Sequence, residues 1–456
     1  MMGTLIVLVV LVATATASFE LEVVTDVRRI VDLGVFAFRQ GGGASVRVEH
    51  LLVVDDSTPG GGENETAAPM IIEPFGFVFD AVKSAQAARE EKAQSKADGI
   101  TKHSCFVEDP KFRPADPSMR KNISLDIVVK EKADSTFLVS IDKPGLYAFF
   151  FYNCHGLRTK PPTITAATFT VHVEMWNYDK LGNKIFLMVG QEDLPTVYLL
   201  YTLVFSGLAF GWFKILAGAP AGEVFRVHYM MGFLVAVKAL SLLFETAKFY
   251  HYSSTGHGSV WDVFYFITLT LKGMALFTVL LLLGSGWSVL KSFLSDQDKK
   301  ILLILLPCQV LINISLAVLE ESSEGLASYG LWSDLLQLLD VICCCAILLP
   351  IVWSIKNLRD AAGQDGKAAQ AVAQMKTFRS FYILTVAYIY LTRIVIVMLE
   401  NSLSYEHTYL VRSVREGVAV VFYAYSGYKF QPRASFSAVA RSDPSEMTRR
   451  SEVSNV

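Results

Sequence analysis

The sequence predicts a two-part membrane protein: a luminal β-sandwich domain followed by a bundle of seven transmembrane α-helices. Three observations carry that expectation. The first residues read as a secretory leader. Alternating apolar and polar residues recur through the first 190 positions. Seven long apolar runs then fill residues 194–428. Composition agrees: 52% of residues are hydrophobic and only 18% are charged, where a soluble domain carries about a quarter. A formal net charge of −2 argues against a nucleic-acid partner.

Residues 1–17 hold a short apolar core, Leu5 to Val12, followed by Ala15 and Ala17 in an A-x-A arrangement. That pattern predicts a signal peptide cleaved after Ala17. A signal anchor needs a longer apolar stretch, and no basic residue precedes the core. Residues 18–190 then alternate as half-buried strands do, in Phe19–Val24, Val46–Leu51, Leu125–Val129, Thr136–Ile141, Leu146–Tyr152 and Thr168–Met175. Gly41-Gly42-Gly43, Ser57–Gly62 and Lys143-Pro-Gly separate them as turns. Short strands at this spacing predict a sandwich. An Ala-, Glu- and Lys-rich stretch near 81–104 favours a helical or mobile insertion.

Of the six cysteines, Cys105 and Cys154 lie in the part expected to be luminal. A lone pair in an oxidising compartment forms a disulfide, the alternative being two separate buried thiols. Cys308, Cys343, Cys344 and Cys345 lie within apolar runs and read as small packing residues. Asn64 and Asn122 head Asn-x-Ser/Thr tripeptides and are the expected glycosylation sites; Asn313 heads a third inside an apolar run and should stay unmodified. His50, His103, His155 and His172 are scattered, and no catalytic triad or metal-ligand cluster stands out. The reading is therefore not an enzyme, and no cofactor or metal is expected.

The seven apolar runs are Leu194–Leu216, Val227–Ala247, Val260–Leu283, Ile301–Leu319, Leu331–Trp353, Phe378–Leu399 and Tyr409–Tyr428. Each is long enough to cross a bilayer. With the N-terminal part in the lumen, Lys214, Arg226, Lys291, Lys299, Lys300 and Lys356 fall on the cytosolic side. The other side carries Lys248 and acids such as Glu320, Glu321 and Glu406. This positive-inside bias agrees with the leader and requires an odd number of spans. Residues 429–456 form a polar, Ser-rich tail with Arg449-Arg450-Ser451, expected to be disordered and to engage cytosolic adaptors.

Charges inside the runs are costly, at roughly 2.5–3.5 kcal/mol each near the bilayer centre, and should face the bundle interior. Lys238, Lys272, Asn313 and Asp340 fall near one depth, with Asp340 the expected counter-ion of the lysines. Glu245, Arg393, Arg412 and Glu416 lie nearer the lumen. Lys238 and Glu245 share a helix face, and Arg412 and Glu416 are spaced to pair along one helix. Two readings stay open: internal ion pairs that fix helix order, or a polar cavity for a lipid head group or small solute.

Gly145-Leu-Tyr-Ala-Phe-Phe-Phe-Tyr-Asn-Cys154 resembles the end of a GOLD (Golgi dynamics) domain. Gly190-Gln-Glu-Asp-Leu-Pro195 is similar to the lead-in to the first helix of the GOLD-domain seven-transmembrane proteins, also called the lung seven-transmembrane receptor family. Further matching stretches are Lys238–Glu245, Leu271–Phe277, Gly284–Trp287 and Pro307–Asn313. Plant members of that family are described as candidate G-protein-coupled receptors. The resemblance implies a GOLD-like sandwich over the seven helices. It implies residence in the Golgi, trans-Golgi network or endosomes, with some at the cell surface. It also implies roles in membrane-protein trafficking, with cargo or lipid as ligand, or signalling through a heterotrimeric G protein. A channel or transporter built on the in-membrane charges is a third expectation. No Asp-Arg-Tyr follows the third run and no Asn-Pro-x-x-Tyr lies in the last, so the motifs of rhodopsin-like receptors are absent.

Overall fold

The computed structural model describes residues 18–26, 28, 30–55, 75–82, 117–124, 135–154, 165–220, 224–284, 296–321, 329–346 and 383–432. The expected leader, Asn64, Cys105, the Leu125–Val129 strand, most of the 81–104 insertion and the tail beyond 432 lie outside these.

Among the described residues nine strands come first: β1 (Ser18–Asp26), β2 (Ile30–Phe38), β3 (Gly43–Asp55), β4 (Phe75–Val82), β5 (Arg120–Ser124), β6 (Ser135–Ser140), β7 (Gly145–Asn153), β8 (Thr165–Tyr178) and β9 (Lys184–Ile185). They form two antiparallel sheets. One runs β1-β8-β3-β6 with β9 added to β8, and the other runs β2-β7-β4-β5. The facing sides are apolar because alternate residues of each strand point inward. Phe36, Phe38, Phe77, Phe79, Tyr147, Phe149, Phe151 and Phe169 all lie below 2% exposure between the sheets. Phe149 stacks on Phe79 at 4.3 Å and on Phe77 at 5.5 Å between ring centroids. Such pairs add about 0.5–1.5 kcal/mol beyond area burial.

Strand β7 is buried along its whole length. Tyr147, Phe149 and Phe151 enter the inter-sheet core. Ala148, Phe150, Tyr152 and Cys154 form a second cluster with Val78 on the opposite face of that sheet. Its unbroken apolar run is the signature of a strand covered on both sides. Strand β4 continues through Val82, so the stretch read as an insertion begins as sheet. Asp80 lies opposite Arg120 in the β4/β5 ladder, and Arg120 Nε donates to Asp80 Oδ2 at 3.0 Å.

Among the described residues seven helical segments follow: α1 (Leu194–Gly218), α2 (Arg226–Thr255), α3 (Val260–Gly284), α4 (Asp296–Glu321), α5 (Tyr329–Ala346), α6 (residues 383–402) and α7 (Thr408–Lys429). They follow the order of the seven apolar runs, of which residues 347–353 and 378–382 lie outside the described residues. Among the described residues, α1, α2 and α3 are each long and apolar enough to cross a membrane, and α4 carries a shorter apolar stretch, Leu303–Ser315. Helix α1 is apolar all round, as a lipid-bathed helix must be. Leu194, Tyr198, Thr202, Phe205, Ala209, Trp212 and Leu216, spaced three or four apart, face the bundle. Leu203 and Phe210, each 64% exposed, face outward. Sequential helices pack side by side from α1 to α5, and α7 returns to α1.

The β domain is seated on the bundle through residues 179–193. Asn177, fully buried, donates to the carbonyls of Ala37 (3.0 Å) and Leu187 (3.1 Å) and accepts from the Arg39 amide at 2.7 Å. Phe186 N donates to Ser253 O at 3.1 Å, and Tyr409 N donates to Gly190 O at 3.1 Å. Tyr252 of α2 belongs to the sandwich core. Gly190 holds φ at +88°, and a Cβ there would lie 2.1 Å from Tyr405 O. Only glycine fits that contact.

Candidate functional site

The polar groups of the bundle collect where helices α1, α2, α3 and α7 meet. Lys238 on α2 and Glu416 on α7 form an ion pair of 2.5 Å, with side chains 6% and 9% exposed. The Lys238 ammonium also stands 5.4 Å over the Phe205 ring of α1. An ammonium in this setting gains from the ring face as well as the carboxylate. Glu245, two turns along α2, lies within electrostatic range of Glu416, Lys272, Lys238 and Arg412. Lys272 and Arg415 act on Glu416 in turn. The Tyr198 hydroxyl of α1 is within hydrogen-bonding reach of Glu245. Just beyond it, Tyr201 donates to Ser413 O at 2.8 Å and ties α1 to α7.

A second polar group joins α4 to α5. Gln309 Nε2 donates to Asp340 Oδ1 at 3.2 Å and to Asn313 Oδ1 at 3.3 Å. Gly273 of α3 leaves room for the Asn313 amide, which a Cβ would meet at 3.1 Å. Adjacent residues of α3 thus reach both groups, Lys272 the first and Gly273 the second.

The structure thus brings Lys238, Glu245, Lys272, Arg412 and Glu416 into one cluster, and Asn313 and Asp340 into the other. Arg393 falls in a π-helical turn, Leu391–Val395, a distortion often found at functional positions. One pairing differs from the expectation: the carboxylate bonded to Lys238 is Glu416 and not Asp340. Asp340 accepts from Gln309. Spacing along one helix finds neighbours three or four residues apart, whereas ring closure sets α7 beside α1 and α2. Tyr198 and Gln309 were not singled out by sequence. Gln309 had a signal, lying four residues before Asn313 on one helix face. The hydroxyl of a tyrosine within an apolar run has none.

Of the sites expected in the β domain, Asn122 is exposed on β5 and Cys154 is 3% exposed at the end of β7. Among the described residues no group of three metal-ligating side chains converges.

Comparison with known proteins agrees with this architecture. Residues 193–433 match the family model described as GOST, seven transmembrane domain. The chain is also 31% identical over 294 residues to the Arabidopsis thaliana protein Candidate G-protein coupled receptor 6, a match covering 64% of this chain and 67% of that protein. The matched region starts one residue before α1 and ends just past α7, so it takes in both polar clusters, and the chain belongs to the GOST seven-transmembrane family.

Proposed function

We propose that this protein acts in membrane-protein trafficking or sorting in the Golgi and endosomes, with its β domain in the lumen, its last helix ending in the cytosol, and cargo or lipid as its ligand. One observation carries the reading. The β domain is clasped to the ends of α2 and α7, and the same two helices hold the Lys238–Glu416 pair. A ligand that tilts the β domain therefore bears on the buried charge cluster, a two-state element of the kind through which sites couple. The Cys105–Cys154 disulfide and glycans on Asn64 and Asn122 belong to the same reading, since the disulfide needs an oxidising compartment and the glycans need acceptors that face the lumen. The tail beyond Lys429 would engage cytosolic adaptors.

The test is location and cargo. A tagged full-length chain should colocalise with Golgi and endosomal markers, and its depletion should slow delivery of membrane proteins to the surface. Sole residence at the plasma membrane would refute the proposal.

A second reading, signalling through a heterotrimeric G protein, is favoured by the name of the Arabidopsis relative. It predicts accelerated nucleotide exchange on a Gα subunit by the reconstituted protein. No acceleration with any Gα of the same cell would remove it.

A further inference from the structure

At the end of the bundle remote from the β domain lies a cavity of about 300 Å³ between α1, α2, α3 and α7, at the lower end of the range for ligand sites. Its back wall is buried: Met231 and Leu234 of α2, and Val279 and Leu280 of α3, are each 6% exposed or less. Its exposed lining residues come from α1 and α7 alone: Gly207, Ile215, Ala424 and Tyr428. The mouth is therefore the crevice between the first and last helices, on a surface that faces lipid. Two glycines hold it open. A Cβ at Gly207 or Gly211 would meet nothing within 4 Å.

Polar groups interrupt the apolar lining: Gln431 Nε2 donates to Tyr428 O at 3.0 Å and Trp212 Nε1 to His228 O at 3.0 Å, whereas Ser426 is left unpaired among the described residues. Ser426 is 6% exposed, and its hydroxyl finds no hydrogen-bond partner among the described residues. Several hydroxyls in these helices bond back to the carbonyl four residues earlier, as Thr202, Thr278, Thr392 and Ser402 do, while Ser241 and Thr385, away from the cavity lining, do not. Bonding back is the usual solution in a membrane helix. Ser426 does not take it, so its donor remains for an occupant. Gly427 sits against the Trp212 ring, 3.3 Å from where its Cβ would be, which sets Ser426 near the depth of Trp212. Lys214 lies two residues, about 3 Å, nearer the helix end and is exposed. It follows Gly207 and Gly211 at i+7 and i+3, on the same face.

We propose that this crevice binds a glycerophospholipid of the adjoining leaflet. One acyl chain fills the cavity, the Ser426 hydroxyl donates to its ester carbonyl, and Lys214 meets the phosphate. The site is separate from the charge cluster and does not depend on the trafficking reading.

The test uses the full-length chain in phosphatidylcholine nanodiscs with a trace of phospholipid bearing a diazirine midway along one acyl chain. A diazirine sterol is run in parallel. After irradiation, the phospholipid probe should label peptides containing Gly207–Ile215 and Ala424–Tyr428 well above the lipid-facing Ile267 of α3. Gly211→Leu should remove that excess and leave Ile267 unchanged. Ser426→Ala should lower it roughly two- to tenfold, the worth of one hydrogen bond. Should Gly211→Leu fail to fold, Ser426→Ala, which deletes a single oxygen, carries the test alone. Labelling no stronger than at Ile267, labelling that persists unchanged in the variants, or stronger labelling by the sterol would each overturn the proposal.

Discussion

Replacing Lys238 with methionine tests the ion pair at the centre of the bundle. The substitution keeps a long apolar stem beside Phe205 and removes only the charge. It leaves Glu416, 9% exposed at its side chain, facing Glu245 without the ammonium that stood 2.5 Å away. Breaking a buried pair on one side costs about 3–5 kcal/mol, because the remaining charge stays desolvated. At about 2–4 °C per kcal/mol for a unit of this size, Lys238→Met should lower the melting temperature by roughly 6–20 °C. The double variant Lys238→Met/Glu416→Met removes both charges and should recover most of the loss, since apolar replacement of a whole buried pair is near neutral or stabilising. Melting in nanodiscs, followed by the monodisperse fraction at one fixed heating rate, reads all three proteins. A double variant that melts at or below the sum of the two single losses would refute the pairing as the source of the effect.

Other positions give simpler expectations. Arg120→Ala strands the Asp80 carboxyl, which burial already holds above its usual range against the pull of Arg120, and should destabilise the β domain by about 3–5 kcal/mol in thermal melts. Gly190→Ala drives a Cβ into Tyr405 O at a φ of +88°; it should cost at least about 1–3 kcal/mol and show as faster proteolysis of residues 179–193. Burial raises the Glu192 carboxyl above its ordinary 4.5, ahead of the attraction of Arg39. Its contribution to stability is therefore full below that value and lost as pH rises through the folded one, so Glu192→Gln should flatten the fall in melting temperature as pH rises above 4.5. Cys105→Ser and Cys154→Ser should each destabilise by about 4 kcal/mol, and the double variant by no more than either, if the two are bonded; additive losses would show two separate thiols.

Strands β1, β3, β6, β7 and β8 were visible in the sequence, although β7 is buried on both faces and not half-buried as its reading implied. Strand β2 was not, because its register shifts between Asp32 and Gly34 and breaks the period of two. Strand β4 is paired on both edges, with β7 and β5, and buried from Gly76 to Asp80, so it reads as a featureless apolar run. In the bundle the spans themselves were legible, since twenty apolar residues have few other uses. The partners of the charges were not: Lys238 and Glu416 are brought together only by closure of the helix ring, a tertiary event with no local signature.

The helix α2 shows most plainly what hydropathy leaves out. The polar residues Lys248, His251, Ser253 and Ser254 end the apolar run at Ala247, yet the helix continues to Thr255. At 30 residues it is about 45 Å long, against about 30 Å of hydrocarbon. The surplus turns stand clear of the membrane and become part of the other domain. Phe249 packs against both the sandwich core and the bundle core, and Tyr252 belongs to the former. From Tyr252 back to Lys238 is roughly 21 Å of continuous helix. A hinge would let the β domain move without consequence below it. A single helix carries any tilt of that domain directly to the buried ion pair, where the low dielectric makes small displacements costly.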